Sequence, residues 1–192
     1  DKGVYENVSN KPKCWIYTSS HGTHGLINVS EALRDSCNYY FYEMGYRMGT
    51  SDTGTFKNTT GIKIIQKYAE MFGLNTTSGI ELPESDPHIS DSDAIRSAIG
   101  QGNHNYTATQ IARYVTAVAN EGTVYNLSLV SEIKDNEGNS VYKDEHTVYN
   151  QIDIPASDWK TIKQGMRQVV SVHTDKDALI NKINVEVAGK TG

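Results

Sequence analysis

Two short stretches carry residue types that could share one reaction: Ser36-Cys37-Asn38 near the start and Lys190-Thr191-Gly192 far downstream. Acyl transfer by a serine enzyme needs an activated hydroxyl, a base, an oxyanion hole and a group to hold the substrate carboxylate. Hydroxyl, amide and ammonium groups of this kind are the raw material for it. Either triplet alone is a weak signal, but each pattern occurs once, and their order and surroundings add weight. Around the first runs Leu33-Arg34-Asp35-Ser36-Cys37-Asn38-Tyr39-Tyr40-Phe41-Tyr42. Between the two lies Ala98-Ile99-Gly100-Gln101-Gly102 followed by Thr107 and Gln110, and the second closes Val187-Ala188-Gly189-Lys190-Thr191-Gly192.

Other reactive residues are set aside on spacing. His21 and His24 stand three apart and could share a metal on a helix, but the flanking glycines predict a loop, so they read as loop histidines. Cys14 and Cys37 are too few for a disulfide framework or a zinc site and are expected reduced and partly buried. No cofactor and no metal is expected. Six Asn-x-Ser/Thr triplets, at Asn7, Asn28, Asn58, Asn75, Asn105 and Asn126, follow from an Asn- and Thr-rich composition rather than from glycosylation.

Residues 1–27 are rich in Gly, Ser, Lys and Pro and predict a lead-in loop with one short extended stretch at Trp15-Ile16-Tyr17. Asn28 with Glu31 reads as a capping box opening a helix, a break follows near Ser36, and a second helical run extends from Asn38 to Gly49. The consecutive aromatics Tyr39 to Tyr42 read as helix packing. Helical spacing of Ile62, Ile65, Tyr68, Ala69 and Phe72 predicts a helix over 61–72 stopped by Gly73. Thr107 caps another, with Ile111, Tyr114, Val115 and Val118 as its inner stripe. Alternation over 123–134 and 140–143 around Asp135-Asn136-Glu137-Gly138-Asn139 predicts a hairpin. Ser157 is expected to cap a last helix with Trp159, Ile162, Met166, Val169 and Val170 inward, and 175–181 to link it to a strand, Ile183 to Val187, delivering the final triplet.

From about Cys14 to Gly192 the sequence resembles the transpeptidase domain of penicillin-binding proteins, most closely the class B, monofunctional group, whose motifs are Ser-x-x-Lys, Ser-x-Asn and Lys-Thr-Gly. The resemblance implies an α+β fold: a helix-rich part of the serine β-lactamase-like fold, with a hairpin and the lead-in to a central antiparallel sheet. It implies three parts: a lead-in at 1–27, a helical subdomain at 28–122, and a hairpin, helix and strand at 123–192. By the same resemblance Ser36 relays a proton toward the leaving amine, and Asn38 holds the acyl-donor backbone and the lysine ammonium. Lys190 and Thr191 bind the terminal carboxylate of a peptide or a β-lactam. Gly192 lets the strand accept a close backbone neighbour, while Gln101 and Gly102 match a loop packed near the cleft.

The family's nucleophile motif should precede Ser36, yet none of Ser9, Ser19, Ser20 and Ser30 has a lysine three residues on. Matches at Ser131/Lys134, Ser140/Lys143 and Ser157/Lys160 fall after the middle motif, against the family order. The chain is therefore expected to be an inactive piece of a D,D-transpeptidase, with peptidoglycan stem peptides and β-lactams as the parent's partners. A non-catalytic β-lactam sensor or docking pseudoenzyme, and a serine β-lactamase, are the alternatives. The long insert between the motifs speaks against the last.

A net charge of −5 without a basic run argues against a nucleic-acid surface. No run of 18 apolar residues is present, so an extracytoplasmic, membrane-anchored location, which the resemblance implies, would need an anchor upstream of Asp1. Unpaired strand edges would favour self-association through 183–191 or the 123–143 hairpin.

Overall fold

The computed structural model describes residues 1–3, 5, 8–9, 11–173, 180 and 182–191. Asn7, most of the 175–181 connection and Gly192 lie outside the described residues. The fold is α+β: helices α1 (Trp15–Ser20), α2 (Val29–Arg34), α3 (Asn38–Gly49), α4 (Asn58–Met71), α5 (Ala94–Ser97), α6 (Ala108–Ala119) and α7 (Ala156–His173), with strands β1 (Thr123–Tyr125), β2 (Glu132–Lys134), β3 (Ser140–Lys143) and β4 (Val148–Gln151). They fall into two compact units, one of residues 1–65, 91–102 and 155–192, the other of 66–90 and 103–154.

In the first unit α2 opens on the expected capping box, in which Glu31 N donates to Asn28 Oδ1 at 3.0 Å and Asn28 N to Glu31 Oε2 at 2.9 Å. The aromatic run of α3 packs as expected, with Tyr42 buried against Tyr5 and Ile95. A second knot joins Cys14, Ala32 and Cys37, so both cysteines are fully rather than partly buried. Small residues let the helices touch. A Cβ on Gly45 would stand 2.6 Å from the Ala94 carbonyl of α5, and one on Gly165 of α7 would stand 2.8 Å from both Ser30 O and Leu33 Cβ of α2. One expectation fails here, because Trp15-Ile16-Tyr17 begins a helix instead of an extended stretch. The hydroxyls of Thr18, Ser19 and Ser20 bond back to the carbonyls of Trp15 and Ile16, giving this polar segment local partners that hydropathy does not register.

In the second unit α6 starts on Thr107 with a full capping box to Gln110, and only half of the expected apolar stripe faces inward, Val118 buried and Tyr114 half-buried against Phe72. Ile111 and Val115 are 41% and 46% exposed, while Gln110 and Arg113 are buried. Gln110 spans to Thr107 N and Ser85 O. The Arg113 guanidinium donates to the carbonyls of Gly73, Thr76 and Thr77 and lies over the Tyr149 ring. A buried cation is tolerable only with several such acceptors, here on both terminal nitrogens, and these depend on distant backbone and not on helical periodicity. The loop 135–139 does join a hairpin, but only β2 and β3 form it. β1 pairs antiparallel with β4 in a separate two-stranded sheet, so the expected long strand from 123 to 134 breaks at 126–131.

Two boundaries move. α4 begins at Asn58 rather than 61, and α7 begins at Ala156, which makes Ser157 an exposed helical residue and not the cap. The predicted strand Ile183 to Val187 is irregular. A strand exists only through a ladder, and among the described residues no neighbouring segment pairs with it.

Candidate functional site

Ser36 is positioned by the way α2 ends. Cys37 N donates to Ala32 O at 2.9 Å and Ser36 N to Leu33 O at 3.3 Å, the paired closing bonds of a Schellman turn, with Ser36 at the left-handed position (φ 51°). Glycine usually occupies that place, and it does at the same turn after α4, where Gly73 has φ 73°. A side chain there is strained by about 1–2 kcal/mol, so the turn keeps a hydroxyl at an energetic cost. The buried pair Cys37 and Ala32 supplies the apolar contact that usually seals this motif. The Trp15 indole clamps the outside, its Nε1 donating to Ser36 O at 3.1 Å and Asp35 O at 3.3 Å. Asn38 is then the first residue of α3, one turn of backbone from Ser36, with a half-buried side chain.

Lys190 reaches the same turn because α7 holds both partners. One side of α7 lies on α2 through Gly165. Along its length Met166 O accepts Gly189 N at 3.1 Å and Arg167 Nη1 donates to Val187 O at 3.2 Å, which ties down the segment leading to Lys190. Its last turn is pinned to the end of α2 by His173 Nε2 and Asp35 Oδ1 at 3.1 Å. A hydrogen bond from Arg34, working against burial, together with one from His173, holds the Asp35 carboxyl at about 2.

The result is that Lys190 Nζ donates to Ser36 Oγ at 2.8 Å, although the residues are 154 positions apart. The same ammonium donates to Thr191 O at 2.7 Å and contacts Thr191 Oγ1 at 3.3 Å. Desolvation lowers the Lys190 pKa from its ordinary value. An ammonium that loses water releases its proton more readily, and because Ser36 Oγ accepts from Nζ, the Ser36 hydroxyl hydrogen is left free to point onward.

The Ser-x-x-Lys matches do not form serine–lysine pairs. Lys134 pairs with Glu132 at 3.2 Å, Ser140 Oγ bonds Tyr142 O at 3.2 Å, and Ser157 Oγ meets Asp158 Oδ1 at 3.3 Å. Gln101 and Gly102 are exposed. Trp15, Gly165, Arg167 and His173 are the positioning residues that sequence reasoning missed. Only Gly165 left a sign, a glycine in the middle of a helical run.

The model of the family described as penicillin binding protein transpeptidase domain matches residues 2–192. The chain belongs to that family. It is 29% identical to penicillin-binding protein H of Bacillus subtilis (strain 168) over 195 residues, 92% of this chain and 27% of that protein. It is 30% identical to penicillin-binding protein 2B of Streptococcus pneumoniae serotype 4 over 196 residues, 92% of this chain and 28% of that protein. The solved structure of penicillin-binding protein 2B from S. pneumoniae strain R6 superposes with a TM-score of 0.77 at 27% identity, covering 98% of this chain and 33% of the other. The chain thus spans a little over a quarter of the length of these curated relatives. Among the described residues no helix is long and apolar enough to cross a membrane.

Proposed function

We propose that this chain is part of a peptidoglycan D,D-transpeptidase, an extracytoplasmic, membrane-anchored enzyme that cross-links stem peptides by serine acyl transfer and is acylated by β-lactams. Support comes from family membership and from one contact, Lys190 Nζ to Ser36 Oγ at 2.8 Å, which joins two motifs from distant parts of the chain. In this reading Ser36 relays a proton between Lys190 and the departing amine, and the Asn38 carboxamide holds the acyl-donor backbone. Lys190 and Thr191 receive a terminal carboxylate, exchanging the present bond from Nζ to Thr191 O for one to the substrate. Gly192 permits close approach of the substrate backbone.

The attacking serine belongs to a part of the protein outside this chain, so the chain alone does not turn over substrate. A relative from Haemophilus influenzae, 28% identical over 98% of this chain, is named a peptidoglycan D,D-transpeptidase, which agrees with this assignment. Labelled penicillin tests it in two steps. The isolated chain gains no covalent mass, whereas the intact protein is acylated at a serine outside these residues, and Ser36→Ala or Lys190→Ala slows that acylation. An adduct mapping to Ser157, or acylation indifferent to both substitutions, refutes the reading.

A further inference from the structure

Where the expected long strand breaks between β1 and β2, the second unit opens into a hollow of about 440 Å³, within the range of about 300–1,000 Å³ that small-molecule sites occupy. The end of α6, with Thr116 and Asn120, forms one side of it. Residues from Tyr125 to Ser131 form a second, and Asp144 and His146, which follow β3, form a third. None of these residues takes part in the contact between Ser36 and Lys190.

The hollow is held in shape although its rim is irregular. Asn126 N donates to Thr147 O at 2.9 Å, Leu127 N to Ser78 O at 2.9 Å and Leu129 N to Glu81 Oε2 at 2.8 Å. Asp144 N donates to Ser131 O at 3.0 Å, so these backbone groups find partners without a continuous sheet. His146 takes a left-handed backbone (φ 51°), strained for a residue with a Cβ, and its Nδ1 lies 2.6 Å from Asp144 Oδ2. The Asp144 side chain is only 18% exposed, and among the described residues its second oxygen has no partner. The side chains of Thr116, Asn120, Tyr125 and Ser131 likewise make no hydrogen bond among the described residues. Fixed backbone thus surrounds a set of uncommitted donors and acceptors.

The lining decides the ligand. Among the described residues no lysine or arginine lines the hollow, and Asp144 adds a carboxylate, so a phosphate or a free carboxylate is disfavoured. One carboxylate and one imidazole, already in contact with each other, are too few to close a metal shell. A lipid chain would strand the amides and hydroxyls. Side-chain amides, hydroxyls and one carboxylate oxygen are satisfied together by a neutral ligand dense in hydroxyl and amide groups. Tyr125 and Leu127 ask in addition for an apolar face. An N-acetylated amino sugar has this make-up. We propose that the hollow binds one such ring of the glycan to which peptidoglycan stem peptides are attached. The transpeptidase reading supplies the polymer, so the inference rests on it.

The test uses the intact protein and a peptide-free glycan tetrasaccharide, obtained by stripping the stem peptides from peptidoglycan with an amidase. Binding is read by titration calorimetry and by saturation-transfer NMR. The wild-type protein is expected to bind the tetrasaccharide. Asn120→Ala weakens that binding by about 3- to 10-fold, the loss of one neutral hydrogen bond, and Asp144→Ala by about 10-fold or more, the loss of a charged acceptor. Folded wild-type protein that does not bind overturns the inference, as does binding that both variants leave unchanged or that a free stem pentapeptide displaces. Should Asp144→Ala fail to fold, Asn120→Ala decides, because its exposed side chain makes no hydrogen bond among the described residues. Labelled penicillin, applied to the same wild-type protein, keeps the two readings apart. Acylation without glycan binding removes the glycan site alone, and glycan binding without acylation removes the transpeptidase reading and leaves the sugar site standing.

Discussion

Replacing Ser36 by glycine separates what the residue costs from what it does. The left-handed backbone at Ser36 (φ 51°) burdens any residue with a Cβ by about 1–2 kcal/mol, and Ser36→Gly removes that burden. Against the gain stand about 0.4–1 kcal/mol from the greater freedom of glycine in the unfolded chain and the loss of an exposed hydrogen bond from Lys190, worth about 0.5 kcal/mol. The net change is about zero. Ser36→Ala loses the same hydrogen bond and keeps the strain, so it falls below Ser36→Gly by about 0.5–1 kcal/mol, a difference of roughly 1–4 °C in melting temperature for a domain of this size. Urea unfolding of the two variants side by side measures it. Function follows the hydroxyl and not the stability: both variants slow β-lactam acylation of the intact protein by about 100-fold or more, the scale of a lost proton-transfer group. An alanine variant as stable as the glycine variant refutes the strained-turn argument. A glycine variant that acylates at the wild-type rate refutes the role of the hydroxyl.

Gly165→Ala places a Cβ 2.8 Å from Ser30 O and Leu33 Cβ, so α7 is pushed off α2 and stability falls by about 1–3 kcal/mol; acylation of the intact protein drops with it, because α7 also carries the segment that delivers Lys190. Arg113→Met strands the carbonyls of Gly73, Thr76 and Thr77 and lowers stability by about 3 kcal/mol or more, read by chemical denaturation. Glu84 gives a pH signature: burial raises its pKa, but hydrogen bonds from Ser78, Thr109 and Thr107 outweigh that and hold it at about 2, below its ordinary 4.5. A depressed carboxyl stabilises the fold above its unfolded pKa and ceases to as pH falls through its folded one. The stability gap between wild type and Glu84→Gln is therefore widest near neutrality and closes between about pH 4.5 and 2; a gap that is constant over that range counts against the assignment.

What the sequence determined by itself is whatever closes within a few residues. The Asn28/Glu31 capping box, the Thr107 cap, the stop at Gly73 and the 135–139 loop are legible because their hydrogen bonds run between near neighbours, and the two triplets are legible because their residue types and order match a known family. Tertiary structure decided the rest. α6 buries Gln110 and Arg113 because backbone carbonyls far along the chain accept from them, and β1 takes β4, leaving only β2 to pair with β3, because a strand's partner is not written in its own residues. Ser36 meets Lys190 only because helices stacked through small residues bring remote side chains to one place. Local hydrogen bonding is encoded in adjacent positions, whereas convergence belongs to the packed chain as a whole.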